Sequence, residues 1–125
     1  QLFEQSDILS VHVPLCGETK HLINKETLGK MKKTALLINT ARGPVVDEQA
    51  LLEALKNKTI AGAAMDVFEA EPRRLEGLEK CENVVMTPHT ASATWEARNK
   101  MAEVAAKNII GVLVEGETPV SIVNK

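Results

Sequence analysis

Four aliphatic runs, alternating with helix-like segments, predict an α/β protein built on an open parallel sheet with a long helix at its C-terminal end. Three observations carry that prediction. The runs at 7–13, 35–39, 60–67 and 84–87 are rich in β-branched and aliphatic residues and stop at turn residues, two of them at Pro14 and Pro88. Segments with apolar residues three or four apart stand between them, at the spacing of right-handed β-α-β crossovers. Beyond the last run, residues 92–115 keep a helical period for roughly six turns. A flavodoxin-like single domain is the competing topology within this class.

Composition narrows the class of function. The chain has 125 residues, enough for one core, with 44% hydrophobic and 26% charged residues, the mixture of a soluble globular protein. Its aromatics are Phe3, Phe68 and Trp95, so the core must be aliphatic. A net charge of -2 provides no basic field for nucleic acid or anionic lipid. No apolar run reaches the roughly 18 residues of a membrane span. Cys16 and Cys81 fit neither a metal-type spacing nor a disulfide framework, so both are expected as small, at least half-buried side chains in a reducing cytoplasm. The start, Gln1-Leu2-Phe3-Glu4, has neither an initiator methionine nor a signal-peptide pattern, and the chain is expected to begin inside a larger protein.

In order, residues 7–13 read as a strand buried on both faces, and 15–21 as a loop. Asn24 is a good N-cap for a short helix over 25–33, with lysines in its last turn. The second strand, 35–39, runs into Asn39-Thr40-Ala41-Arg42-Gly43-Pro44, where Gly43 and Pro44 cannot continue a strand and hold the loop in one path. Asp47 caps a helix over 48–56 whose inner face is Leu51, Leu52 and Leu55. The third strand, 60–67, contains Gly62, Ala63 and Ala64, small enough for close backbone approach. Residues 69–82 form a charged connection with at most one helical turn, and 84–87 the fourth strand. Gly116 ends the long helix, and 120–123 is a short apolar stretch in need of a partner surface.

In open parallel sheets the ligand site lies beyond the carboxyl ends of the strands. Pro14 and the Cys16-Gly17-Glu18-Thr19 loop follow strand one, Arg42 strand two, Asp66 and Glu71 strand three, and His89 strand four. An arginine, two carboxylates and a histidine thus converge on one edge. His89 can exchange a proton near neutrality. Glu71, hydrogen-bonded to the far ring nitrogen, would fix its tautomer. Arg42 would grip a carboxylate in two-pronged fashion and polarise its neighbouring carbonyl. Taken singly, each has a plainer reading: Arg42 as a surface residue, His89 as a residue at a helix entry, Glu71 as part of a solvated acidic loop with Glu69 and Glu76. His12 reads as a core or edge residue and His21 as a loop residue, neither with comparable company. The chain carries no nucleophile elbow, no histidine pair with metal-ligand spacing and no G-x-G-x-x-G, so no metal is expected.

Four segments bring a family with them: Ser6-Asp7-Ile8 through His12-Val13-Pro14-Leu15 with Glu18-Thr19; Ile38-Asn39-Thr40-Ala41-Arg42-Gly43; Met65-Asp66-Val67-Phe68-Glu69-Ala70-Glu71-Pro72; and Thr87-Pro88-His89-Thr90-Ala91-Ser92-Ala93-Thr94. In wording and order they resemble the D-isomer-specific 2-hydroxyacid dehydrogenases, especially the glyoxylate/hydroxypyruvate reductase branch, with phosphoglycerate dehydrogenase next. The resemblance implies the second half of a Rossmann-type nucleotide-binding domain, with hydride transfer between NAD or NADP and a small 2-keto or 2-hydroxy acid. It implies that Arg42 binds the substrate carboxylate, Glu71 orients the histidine and His89 is the acid/base. It also implies that Asp66 contacts the nicotinamide end of the cofactor, with Pro14, Thr40, Ala41 and Ala91 lining the same pocket; Ala91 stands where the family often has glycine. A partial NAD(P)-binding domain over 1–116 and a tail over 117–125 are expected, with a homodimer as the assembly. Because the glycine-rich β-α-β unit falls outside these residues, the isolated chain is expected to be inert and its first strand an exposed apolar edge. The alternative is a non-catalytic half-domain acting as an oligomerisation or interaction module.

Overall fold

The computed structural model describes residues 1–118, so the apolar stretch 120–123 and most of the expected tail 117–125 lie outside the described residues. The chain forms two compact units, Gln1–Thr90 and Ala91–Lys125.

The first unit contains α1 (Leu2–Gln5), β1 (Ile8–Val11), α2 (Lys25–Gly29), β2 (Leu36–Asn39), α3 (Glu48–Lys56), β3 (Gly62–Met65) and β4 (Val84–Met86). All strand pairs are parallel and the order is β1-β2-β3-β4. A flavodoxin-like order would put the first strand inside the second and third; here β1 is an edge. Register sets Leu9, Leu37 and Ala63 side by side, then Val11, Asn39 and Met65. Apart from the polar Asn39, these residues belong to one core with Leu28 of α2, Met31 just past its C-cap, and Leu51, Leu52 and Leu55 of α3. Burying each such leucine contributes roughly 2 kcal/mol.

The alternate face of the sheet is bare. Ile8 is 62% exposed and Val85 65%, and Leu36 is exposed as well, which corrects the expectation of a first strand buried on both faces. The physical reason is that the side chains of α2 and α3 enter the same core, leaving Ile8 and Ser10 facing away from it.

Helix ends follow local chemistry. Asn24 makes a full capping box with Thr27, but α2 stops at Gly29, short of the lysines expected in its last turn, because glycine is a poor helix former and the chain must turn into β2. Helix α3 has its expected bounds, with the Asp47 carboxylate accepting from Ala50 N–H at 3.0 Å. Residues 69–82 hold a single 3-10 turn, Leu78–Lys80.

The second unit is dominated by α4 (Trp95–Leu113), capped by the Thr94 hydroxyl, which accepts from Ala97 N–H at 3.1 Å. After Val114, Gly116 takes a left-handed φ of 68°. The apolar stripe at Met101, Val104, Ile109 and Leu113 is exposed. Among the described residues no helix is long and apolar enough to cross a membrane.

Candidate active site

The arginine loop begins at Asn39, the last residue of β2 and fully buried. A buried amide must find partners for both its ends. Its Oδ1 accepts from Ala41 N–H at 3.1 Å and its Nδ2 donates to the Arg42 carbonyl at 3.1 Å, locking the turn that carries Arg42. Gly43 matters for space: a Cβ built there would lie 2.0 Å from both the carbonyl carbon and oxygen of Phe68. With Pro44 and Val45 it forms a 3-10 turn within the stretch expected only as a loop held in one path. Arg42 itself is exposed, in extended backbone, with Nη1 donating to the Ala41 carbonyl at 2.6 Å.

The histidine loop is held from β3. Asp66, buried at 4% exposure, accepts through Oδ1 from Thr90 N–H at 2.8 Å and from the Thr87 hydroxyl, and its carbonyl accepts from His89 N–H at 2.8 Å. His89 adopts a left-handed φ of 55°, costing a non-glycine residue about 1 kcal/mol. Its Nδ1 lies 2.8 Å from Glu71 Oε2, and Glu71 Oε1 accepts from Phe68 N–H at 3.1 Å. Those two hydrogen bonds to the ionised form, His89's first, hold the Glu71 carboxyl below the usual carboxylate range, and the Arg42 charge adds a smaller push in the same direction. With Glu71 accepting at Nδ1, the ring leaves Nε2 with no partner among the described residues.

Six of the predicted residues fall into two cavities of about 590 Å³ each. Pro14, Thr40, Ala41 and Arg42 line one, beyond the ends of β1 and β2, with His12. Glu71 and His89 line the other, with Phe68, Pro72, Arg74 and Thr87. Asp66 lines neither; its carboxylate is turned into the His89 loop. Ala91, exposed, begins the second unit. The loop after β1 is closed by Thr19, whose hydroxyl donates to the Pro14 carbonyl at 2.6 Å and accepts from Cys16 N–H at 2.8 Å. Cys16 is exposed rather than half-buried, since that turn lies beyond the sheet edge, and the Thr19 hydroxyl and backbone lower its thiol pKa.

Sequence reasoning also left His21 without company. Its Nε2 lies 3.2 Å from Glu69 Oε1, close enough for an ion pair though not aligned for a hydrogen bond. Asn39, Thr87 and Glu69 were in view only as members of larger segments; a polar residue ending an apolar strand, as Asn39 does, was the available signal. Among the described residues no group of three or more His, Cys, Asp or Glu could hold a metal ion.

Comparisons with known proteins bear on the family and the fold. The model for the D-isomer specific 2-hydroxyacid dehydrogenase NAD binding domain matches residues 1–91. A glyoxylate reductase of Thermofilum pendens is 64% identical over 125 residues, which are 99% of this chain and 37% of that protein; the chain thus spans little more than a third of that relative. Among solved structures, an NADPH-dependent glyoxylate/hydroxypyruvate reductase from Sinorhizobium meliloti, in complex with NADP and malonate, superposes with a TM-score of 0.89 at 42% identity, covering 96% of this chain and 38% of that one. The NAD-complexed D-isomer specific 2-hydroxyacid dehydrogenase from Lactobacillus delbrueckii gives 0.87 at 35% identity, covering 98% and 41%. The parallel sheet, the ordered segments after its strands and the match over residues 1–91 lead to one conclusion: the chain belongs to the D-isomer specific 2-hydroxyacid dehydrogenase family.

Proposed function

We propose that the chain supplies the substrate-binding and proton-transfer residues of a glyoxylate or hydroxypyruvate reductase using NAD or NADP. The observation that carries this reading is the His89–Glu71 pair, 2.8 Å apart at a cavity of about 590 Å³, within electrostatic reach of Arg42. In this reading Arg42 holds the carboxylate of the 2-keto acid by a charge-assisted, two-pronged bond. Glu71 keeps Nδ1 as a donor, so Nε2 carries the exchangeable proton and delivers it to the carbonyl oxygen as C2 becomes tetrahedral. In the reverse direction Nε2 takes the hydroxyl proton. A reduced nicotinamide, when bound, supplies the hydride to C2.

The cavity lined by Pro14, Thr40, Ala41 and Arg42 fits that cofactor end: it has the volume of a small-molecule site and lies beyond the carboxyl ends of two parallel strands. The family resemblance assigns Ala91 to cofactor binding. Asp66 fixes the loop that carries His89, and the family resemblance assigns it to the nicotinamide end of the cofactor. Residues 1–116 are assigned to the nucleotide-binding domain, supported over 1–91 by the family match, and 117–125 to a tail. Two free thiols, Cys16 and Cys81, support a reducing, cytoplasmic setting. The exposed apolar residues Ile8, Leu36 and Val85 support a homodimer, which sedimentation velocity tests.

The decisive experiment follows NADH and NADPH oxidation by the full-length protein with glyoxylate and hydroxypyruvate. Turnover that collapses in His89→Gln, with NAD(P)H affinity kept, is the expected result; full turnover in that variant would sink the reading.

A further inference from the structure

Arg42 and the His89–Glu71 pair come from different strand ends, and something must fix their spacing. Both are built against the same short turn, Phe68-Glu69. On one side the turn meets Gly43, the residue after Arg42, so closely that no Cβ fits between them. On the other side Phe68 N–H is taken by Glu71. The remaining N–H of the turn, that of Glu69, donates to Glu48 Oε1 at 2.6 Å, while Glu48 N–H donates to Glu69 Oε1 at 3.0 Å. Two glutamates 21 residues apart thus cap each other's backbone. His21 completes the ring, with Nε2 3.2 Å from Glu69 Oε1 and its own N–H donating to the Pro44 carbonyl of the arginine loop at 2.8 Å.

Helix capping accounts for only part of this arrangement: Glu69 satisfies the first N–H of α3, that of Glu48, but no helix end calls for Glu69 N–H to donate to Glu48. Helix α3 already has its cap in Asp47, which takes the Ala50 N–H. Glu48 is also only 5% exposed, and it faces a second carboxylate in that setting. Burial, with the Glu69 charge adding to it, pushes the Glu48 carboxyl up. The two carboxyl groups thus stand together at a cost, held by reciprocal backbone hydrogen bonds.

We propose that Glu48 and Glu69 are positioning residues that lock the Phe68-Glu69 turn and thereby set Arg42 at its working distance from the His89–Glu71 pair. The pair touches no reacting atom and acts through the turn. This assignment rests on the reductase reading above.

The test uses the full-length protein, with steady-state kinetics for glyoxylate and for NADH, beside Arg42→Ala and His89→Gln. Glu69→Ala is expected to lower kcat/KM for glyoxylate by about 10- to 100-fold, the order that misplacing a substrate-binding group costs. Its NADH KM stays within about twofold of the unsubstituted protein, which separates lost positioning from general damage. Glu69→Gln keeps the acceptor oxygen for Glu48 N–H and is expected to restore activity to within about threefold. Glu69→Asp keeps the charge but is one methylene too short, and is expected to behave like Glu69→Ala. Wild-type kinetics in Glu69→Ala and Glu69→Asp, or equal damage to NADH and glyoxylate parameters, would overturn the proposal. Loss of the fold in both, read by circular dichroism, would overturn it too, because the pair would then be holding the domain together. If Arg42→Ala and His89→Gln also keep full turnover, it is the reductase reading that fails; if they lose it while Glu69→Ala does not, only the positioning role fails.

Discussion

The arginine loop and the histidine loop do similar work by different means. Arg42 stands in relaxed, extended backbone, and its loop is held by a buried amide, Asn39, and by a glycine packed against a neighbouring peptide. His89 stands in left-handed backbone, and its loop is held by a buried carboxylate, Asp66, that gathers Thr87 and Thr90. One loop is positioned mainly by the exclusion of volume, the other by a charged acceptor that outweighs local strain. A functional residue is therefore placed by what grips the peptides on either side of it, in addition to the bonds its own side chain makes.

Substituting the two functional side chains should break the comparison most sharply. His89→Gln is expected to lower kcat for glyoxylate reduction about 100-fold or more, the usual worth of a positioned acid/base. Arg42→Ala is expected instead to raise the glyoxylate KM by a factor of about 10 or more, the loss of a charge-assisted pair. Identical loss of NADH binding in both would contradict the division of labour.

Next in size is a test of exclusion itself. Gly43→Ala forces a methyl into the Phe68 peptide, and overpacking of this kind costs roughly 1–3 kcal/mol or more. Thermal unfolding should show a lowered Tm together with a raised glyoxylate KM. An unchanged Tm would mean that the close approach is not maintained in solution.

Asp66→Ala and Asn39→Ala probe the two anchors. Each strips the partner from a part-buried backbone N–H, that of Thr90 or Ala41, at about 1 kcal/mol, the net worth of an ordinary hydrogen bond. Kinetics should separate them: Asp66→Ala is expected to act chiefly on kcat, through His89, and Asn39→Ala chiefly on glyoxylate KM, through Arg42.

The smallest expected effect is the pH dependence of the Glu71–His89 contact. Glu71 has a depressed carboxyl pKa because His89 and Phe68 N–H bind its ionised form. Its contribution is therefore complete above the ordinary glutamate value of about 4.3 and is lost as pH falls through the depressed value. Solvent screens it, since the Glu71 side chain is 36% exposed. Tm against pH should run slightly higher for the unsubstituted protein than for Glu71→Gln near neutrality, and the two curves should meet in acid.

What could be read from the sequence divides along the same line. Helix α3 was legible to the residue because its cap and its leucine face are local. That Arg42, Asp66, Glu71 and His89 follow the ends of successive strands could be read from one rule about parallel sheets. The single covered face of β1 was not legible, because Ile8, Leu9 and Val11 look alike until the side on which both helices pack is known. The anchors were hidden for another reason: Glu48 meets Glu69 across 21 residues and Asp66 meets Thr90 across 24, and no local period reports such pairs.

The two loops also share one backbone link, Asp66 N–H donating to the Asn39 carbonyl at 3.0 Å. Asn39 grips the arginine turn and Asp66 the histidine turn, so the anchors are neighbours in a single hydrogen-bonded row. Energies measured at such neighbours do not add: a double substitution at 39 and 66 should differ from the sum of its parts by about 0.5 kcal/mol or more. In thermodynamic terms the Arg42 loop and the His89 loop are then coupled, so that loosening one weakens the hold on the other.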